Sequence, residues 1–96
     1  MKYDEIETGK QFFIVRNYAV KLVEANEFYE NGSLRFWKCN YRNSILTVGR
    51  LDNIFTSDYD AYLHLNDELY EIHRSIKDIV ARMENGDIQI NNTLTN

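Results

Sequence analysis

The feature that most constrains the fold of this chain is an apolar repeat in its second half. Large apolar side chains return at alternating intervals of three and four residues, which places them on one stripe of an α-helix. The stripe consists of Tyr62, Leu65, Leu69, Ile72, Ile76, Ile79 and Met83. Ser57 is a suitable N-cap, Asp60 follows it in a capping-box-like arrangement, and Gly86 is a suitable stop. The pattern predicts a helix over residues 57–85.

This helix is long for the size of the chain. As one straight helix it would extend about 40 Å, whereas a globular domain of 96 residues measures about 30 Å across. The helix therefore either bends near Asn66-Asp67 and folds back on its own domain, or packs against a second copy. An a/d repeat kept over three heptads is what a two-stranded coiled coil requires. We expect a homodimer held by the helix seam, which comprises Leu65, Leu69, Ile72, Ile76, Ile79 and Met83.

The first half of the chain shows the alternation of apolar and polar residues that is typical of β-strands. Tight turns separate five such segments, at residues 11–15, 20–29, 34–41, 45–48 and 51–55. Asn31-Gly32 is the strongest hairpin signal, because both central residues of a type I′ turn require positive φ. A small open sheet would expose two edges, so we predict a strongly bent antiparallel β-barrel or meander over residues 10–56.

These elements predict an α+β protein with a single domain over residues 1–96. Residues 87–96 are rich in Asn and predict either an edge strand or a tail. Cys39 is the single cysteine, so no disulfide forms within the chain and a reducing, cytoplasmic setting is expected. The acidic start of the chain is unlike a signal peptide.

Two segments carry a resemblance to a known family. Residues 7–15, Glu-Thr-Gly-Lys-Gln-Phe-Phe-Ile-Val, combine a Gly turn with an aromatic-aliphatic first strand, and residues 52–57, Asp-Asn-Ile-Phe-Thr-Ser, precede Ala61. Over residues 7–65 the chain resembles small SH3-like β-barrel proteins of phages and mobile elements of low-GC Gram-positive bacteria. The resemblance implies an SH3-like barrel and phage provenance. The long heptad helix departs from such proteins, so the resemblance implies nothing about it. Small phage proteins of this kind are similar in size and charge to anti-CRISPR inhibitors of host defence enzymes.

Motifs for catalysis or metal binding are weak. The four glycines stand too far apart for a phosphate-binding loop, and Cys39 has no histidine partner in the sequence. His64 and Glu68 are i, i+4 neighbours, with Asp60 and Asp67 nearby, but a closed zinc site usually includes Cys or several His. A solvated polar helix face explains these residues better. We predict a protein without enzymatic activity, cofactor or metal.

Charge is distributed unevenly. Residues 10–50 contain seven Lys or Arg against three Glu, whereas residues 57–71 contain five acidic residues and no Lys or Arg, in a chain of net charge −4. The helix macrodipole explains the acidic residues most simply. The functional alternative is an acidic strip for a basic protein partner, such as the nucleic-acid groove of a host enzyme. The strip consists of Asp58, Asp60, Asp67, Glu68 and Glu71.

The basic first half supports a different interpretation, because cations beside aromatic platforms are typical of single-strand binding. The candidate residues are Arg16, Arg35, Trp37, Lys38, Tyr41 and Arg42. A pI near 5.1 and the usual role of aromatics in small cores argue against it. The sequence therefore favours a non-enzymatic protein-binding module, a phage-encoded inhibitor or modulator of a host defence enzyme acting in the host cytoplasm. The alternatives are a nucleic-acid-binding accessory protein and a structural virion or assembly component.

Overall fold

The computed structural model describes residues 1–86 and has an α+β architecture, as predicted: one five-stranded antiparallel sheet followed by one long helix. The elements are β1 (Gln11–Arg16), β2 (Ala19–Asn31), β3 (Leu34–Tyr41), β4 (Ser44–Val48), β5 (Ile54–Phe55) and α1 (Asp58–Glu84). A short 3₁₀ turn, Tyr3–Glu5, precedes them. The strand order is β4-β3-β2-β1-β5, so β4 and β5 form the two edges. The strand or tail predicted at residues 87–96 lies outside the described residues.

The chain divides into two compact units, the sheet unit Met1–Asn66 and the helical unit Asp67–Asn96. The division falls within α1, whose first turns belong to the sheet unit. All the buried side chains described belong to the sheet unit, and within the described part of the helical unit no residue is buried. Within residues 1–86, the hydrophobic core therefore belongs to the sheet unit.

The core lies on one face of the sheet, which we call the inner face. Phe12 pairs with Val23 across β1 and β2, and Ala25 pairs with Cys39 across β2 and β3, so their side chains share this face. Ile6, from the N-terminal segment, is 5% exposed and packs against the same cluster. Full burial stabilises each large side chain by roughly 1.5–3 kcal/mol. The remaining core members are Ile14, Val48 and Ile54.

The β2–β3 hairpin differs from the predicted one at its turn. Asn31 pairs with Leu34, so the central residues are Gly32 and Ser33 rather than Asn31 and Gly32. Of these two only Gly32 has a positive φ, +62°, which matches a type II′ turn with glycine in the first central position. A register shift between Ala25 and Glu27 marks a β-bulge, which bends a strand and increases its twist.

The ends of β1 and β4 are connected although these strands are not neighbours in the sheet. An Arg16 Nη donates to the Thr47 carbonyl at 2.8 Å and pairs with Asp52 Oδ1 at 3.0 Å. Asp52 Oδ2 in turn accepts from the Gly49 backbone N–H at 2.7 Å. Because one side chain of β1 reaches β4 and the β4–β5 turn, the sheet curls toward its inner face.

Helix α1 begins where the sequence predicts. The Asp60 backbone N–H donates to Ser57 Oγ at 3.2 Å, which is the expected N-cap bond. Ala61 is fully buried, and the Phe55 ring lies 5.2 Å from the His64 ring. The first turns are thus fixed to the end of β5. None of the helices in the described chain combines the length and the apolar character needed to span a membrane.

Candidate binding surfaces

The helix seam is exposed through most of its length. Leu65 is half-buried in the sheet unit, whereas the five seam residues of the helical unit are each between 38% and 53% exposed: Leu69, Ile72, Ile76, Ile79 and Met83. They follow the predicted spacing within α1. The structure therefore presents a row of large apolar side chains to solvent at the positions that the sequence assigned to a dimer interface.

The acidic residues fall into two groups. Asp58 and Asp60 lie in the first turn of α1, where Asp58 Oδ1 accepts from the Tyr59 backbone N–H at 2.7 Å. This position suits the positive end of the helix dipole. Asp67, Glu68 and Glu71 belong to the helical unit; Glu71 is exposed and lies 3.9 Å from Arg74 in a loose ion pair.

The basic and aromatic residues proposed for nucleic acid do not share one face. In β3, Arg35, Trp37 and Tyr41 point to the inner face, whereas Lys38 points to the opposite, outer face. On the outer face the Lys38 ammonium lies 5.4 Å from the Tyr29 ring centre. A continuous basic strip along β3 is therefore not formed.

The other members of that set are occupied in different ways. Arg16 is held by Thr47 and Asp52, as described above. Tyr41 is half-buried, and the Arg42 guanidinium lies 5.2 Å from its ring. Arg42 itself stands in the β3–β4 turn with a φ of +54°. Arg35 and Trp37 line a concave part of the surface.

That concave part is a cavity of about 370 Å³ between the N-terminal segment, the β2–β3 hairpin and the β4–β5 connection. Its lining residues are Tyr3, Asp4, Ile6, Phe28, Glu30, Arg35, Trp37 and Arg50. Phe28 and Trp37 form an aromatic wall, with ring centres 5.4 Å apart and planes tilted by 58°. Opposite-charge pairs line the rim, so the cavity combines apolar and polar contacts.

Two ion pairs stand at this rim. Arg35 lies 3.3 Å from Glu30, and Arg50 lies 2.9 Å from Asp4. All four side chains are more than half exposed, and exposed ion pairs of this kind contribute about 0–1 kcal/mol. An anion that binds guanidinium more tightly than a carboxylate does can therefore replace Glu30 or Asp4 at a small cost in free energy.

Tyr3 is the least satisfied residue of the cavity. Its hydroxyl oxygen is buried and has no hydrogen-bond partner within the described chain. Burial raises the pKa of Tyr3 above its usual value, and the nearby Arg50 guanidinium opposes that shift. A buried hydroxyl without a partner costs about 1–3 kcal/mol.

Sequence reasoning missed several lining residues. The turn at Gly32-Ser33 aligns Phe28 with Trp37 and Glu30 with Arg35, whereas the predicted turn at Asn31-Gly32 would pair Phe28 with Arg35 and misses these contacts. No local signal predicts that Tyr3 and Ile6 lie against this hairpin, since that contact joins distant parts of the chain.

The structure also describes the environment of the candidate nucleophile. Cys39 is fully buried, and burial raises the pKa of its thiol to about 11. A thiol in that state has almost no nucleophilic thiolate at neutral pH. Within residues 1–86, no group of three or more His, Cys, Asp or Glu side chains is arranged to hold a metal ion.

Comparison with known proteins does not extend this description. No protein-family model matches the chain, and neither a curated protein nor a solved structure is significantly similar to it.

Proposed function

We propose that this protein is a non-enzymatic protein-binding module that self-associates through the helix seam and presents an acidic helix face to a basic partner. The observation that carries the proposal is the exposure of the five seam residues from Leu69 to Met83. Most helical stability in proteins comes from packing of an apolar face. A partner helix supplies that packing.

The environment of Cys39 supports a binding role over a catalytic one. Its thiol is fully buried in the core and has a raised pKa, so it lacks the accessible thiolate of a nucleophilic cysteine.

The acidic face defines the chemistry of the partner. Asp67 and Glu71 lie one helical turn apart, and neither belongs to the helix seam, so both remain accessible when the seam is covered. Such a face attracts a basic groove and accelerates association. A host enzyme that handles nucleic acid has a groove of this kind, which agrees with the inhibitor hypothesis from the sequence.

Self-association is tested by light scattering on the wild type and on Ile72→Asp, with Tyr70→Asp as the matched control. Tyr70 is exposed on the same helix but lies outside the seam. We expect a dimeric wild type, a monomeric Ile72→Asp and a dimeric Tyr70→Asp. A wild type that is monomeric at tens of micromolar contradicts the proposal.

Partner binding is tested by affinity capture from nuclease-treated host lysate. We expect one near-stoichiometric protein with the wild type and its loss with Asp67→Lys combined with Glu71→Lys. The control combines Asp78→Lys with Glu84→Lys, which changes the net charge equally at the other end of the helix. Equal capture by both double variants contradicts the acidic-face hypothesis.

Nucleic-acid binding is the second candidate, and the aromatic wall of the cavity favours it. Phe28 and Trp37 offer ring faces for stacking, and the same cavity is lined by the cations Arg35 and Arg50, which suit phosphate. We expect Arg35→Glu to abolish a salt-sensitive shift of a single-stranded oligonucleotide, while Lys38→Glu, on the outer face, preserves it. No shift with the wild type removes this candidate.

A closed SH3-like barrel is the finer form of the fold that we propose. The curl of the sheet and the bond from Arg16 to Thr47 support it, because they bring the ends of β1 and β4 together. Hydrogen exchange of the β4 amides tests the closure. The N–H groups of β4 that point away from β3 should exchange slowly in a closed barrel and fast in an open sheet.

A further inference from the structure

We infer that two copies of α1 pair in antiparallel orientation along the helix seam; this inference rests on the proposed self-association. The partner is thus a second copy of this chain, with its helix reversed. Three independent features of the helical unit lead to this orientation: the type of apolar residue at each seam position, the distribution of charge along the helix and the helix dipoles.

Four of the five apolar residues do not suit a parallel dimer, and Ile76 is the exception. The spacing assigns Leu69, Ile76 and Met83 to heptad position a, and Ile72 and Ile79 to position d. Parallel two-stranded coiled coils favour a β-branched residue at a and Leu at d, whereas Leu at a with Ile at d favours higher oligomers. In an antiparallel pair each a residue packs against a d residue of the partner, so Leu69 meets Ile79 and Ile72 meets Ile76.

The charges favour the same orientation. The first part of the helical unit carries Asp67, Glu68 and Glu71 without a cation, whereas residues 74–82 carry Arg74, Lys77 and Arg82 against Asp78. A parallel pair places like charge beside like charge. An antiparallel pair places the acidic part of each helix beside the basic part of the other, and opposes the two helix dipoles.

One charged pair gives this orientation a specific test. With Ile72 opposite Ile76 of the second copy, Glu68 and Arg82 flank the seam on the same side and meet across the interface twice by symmetry. Glu68 also makes an interaction within its own chain. Fourteen residues separate the two along one helix, about 21 Å, so any coupling between their charges acts between copies.

The closing experiment is cross-linking of full-length single-cysteine additions with a short bis-maleimide. Ser75 of the two copies faces itself near the centre of an antiparallel pair, whereas Met83 of one copy lies about 27 Å from Met83 of the other. In a parallel pair the Met83 positions touch and the Ser75 positions lie on opposite sides. Wild type is the control, because Cys39 is buried.

We expect Ser75→Cys to cross-link and Met83→Cys to remain uncross-linked, with dimers in both cases by light scattering. A charge-reversal experiment on the Glu68–Arg82 pair accompanies the cross-linking. We expect Arg82→Glu to raise the dimer dissociation constant about tenfold, and the added Glu68→Lys to restore it. Dimers that cross-link through Met83, or that fail to cross-link through Ser75, overturn the orientation and leave self-association intact. Monomers by light scattering overturn both.

Discussion

The sheet unit and the helical unit differ in how far their large apolar side chains are buried. Phe12 and Val23 are fully buried by neighbours from other strands, whereas Ile72 and Ile76 of the helical unit are exposed although they are as apolar as the core. The sheet unit is thus packed by contacts within the chain, whereas the apolar side chains of residues 67–86 are not covered by the described chain. For this reason we propose that the exposed face of α1, rather than the core of the sheet unit, binds a partner.

The largest expected effect comes from a cavity in the core of the sheet unit. Phe12→Ala should lower the free energy of unfolding by about 3–5 kcal/mol, because a fully buried ring is removed and the space is not refilled. Chemical denaturation followed by Trp37 fluorescence measures it. The matched change in the other unit is Ile76→Ala, which should weaken the dimer and leave the Trp37 transition unchanged. An equal loss of unfolding free energy in both variants would indicate that the two units unfold as one cooperative structure.

A smaller effect is expected from the polar connection at the end of β1. Asp52→Ala should lower the free energy of unfolding by about 1–3 kcal/mol, because it removes one of the two partners of Arg16 and the acceptor of the Gly49 N–H. Asp4→Ala removes only an exposed pair with Arg50 and should change stability by less than about 1 kcal/mol. The midpoint of denaturation measures both. Equal values contradict the structural role of the Arg16–Asp52 pair.

The pH dependence of the sheet unit should report the burial of Cys39. The folded thiol keeps its proton up to a pKa of about 11, whereas the unfolded thiol loses it near 9.0. The folded protein then binds more protons between these values, so stability is intact below pH 9 and falls by on the order of 1–2 kcal/mol as the pH rises toward 11. Denaturation across this range measures the slope. A Cys39→Ala variant with the same slope would assign it to another group.

The smallest effect is expected at Tyr3. Tyr3→Phe should raise the free energy of unfolding by about 1 kcal/mol, because it removes a buried hydroxyl that lacks a hydrogen-bond partner. Tyr18→Phe is the control, since that hydroxyl belongs to an exposed side chain. Thermal unfolding compares them. A loss of stability in Tyr3→Phe means that the hydroxyl has a partner in solution.

Local elements were predictable because their signals are local. The N-cap at Ser57 follows from one residue and its neighbours, and the hairpins follow from alternation and turn residues. The predicted turn at Asn31-Gly32 was wrong by one residue: Asn31 pairs with Leu34, so the turn lies at Gly32-Ser33. The separation of Trp37 from Lys38 was also readable, since adjacent residues of a strand face opposite sides.

The candidate surfaces also differ in whether local sequence patterns predict them. The exposed seam follows from spacing alone, whereas the cavity requires Tyr3 and Arg50 to approach a hairpin that is distant in sequence. The role of Arg16 likewise depends on Thr47 and Asp52, more than thirty residues away. From charge and composition we expected Arg16 to lie near aromatic side chains and to be available to a ligand. The sequence did not indicate that its guanidinium already donates to Thr47 and Asp52.

The sequence by itself determined the secondary structure, the α+β class and the apolar seam of α1, because each depends on periodicity and on residues within a few positions of one another. Only the tertiary structure decided that β5 returns beside β1, that Arg16 joins two separate strands, and that the seam of the helical unit stays uncovered by the described chain. The physical reason is that strand order and burial are set by contacts between distant residues, whose free energy no local pattern contains.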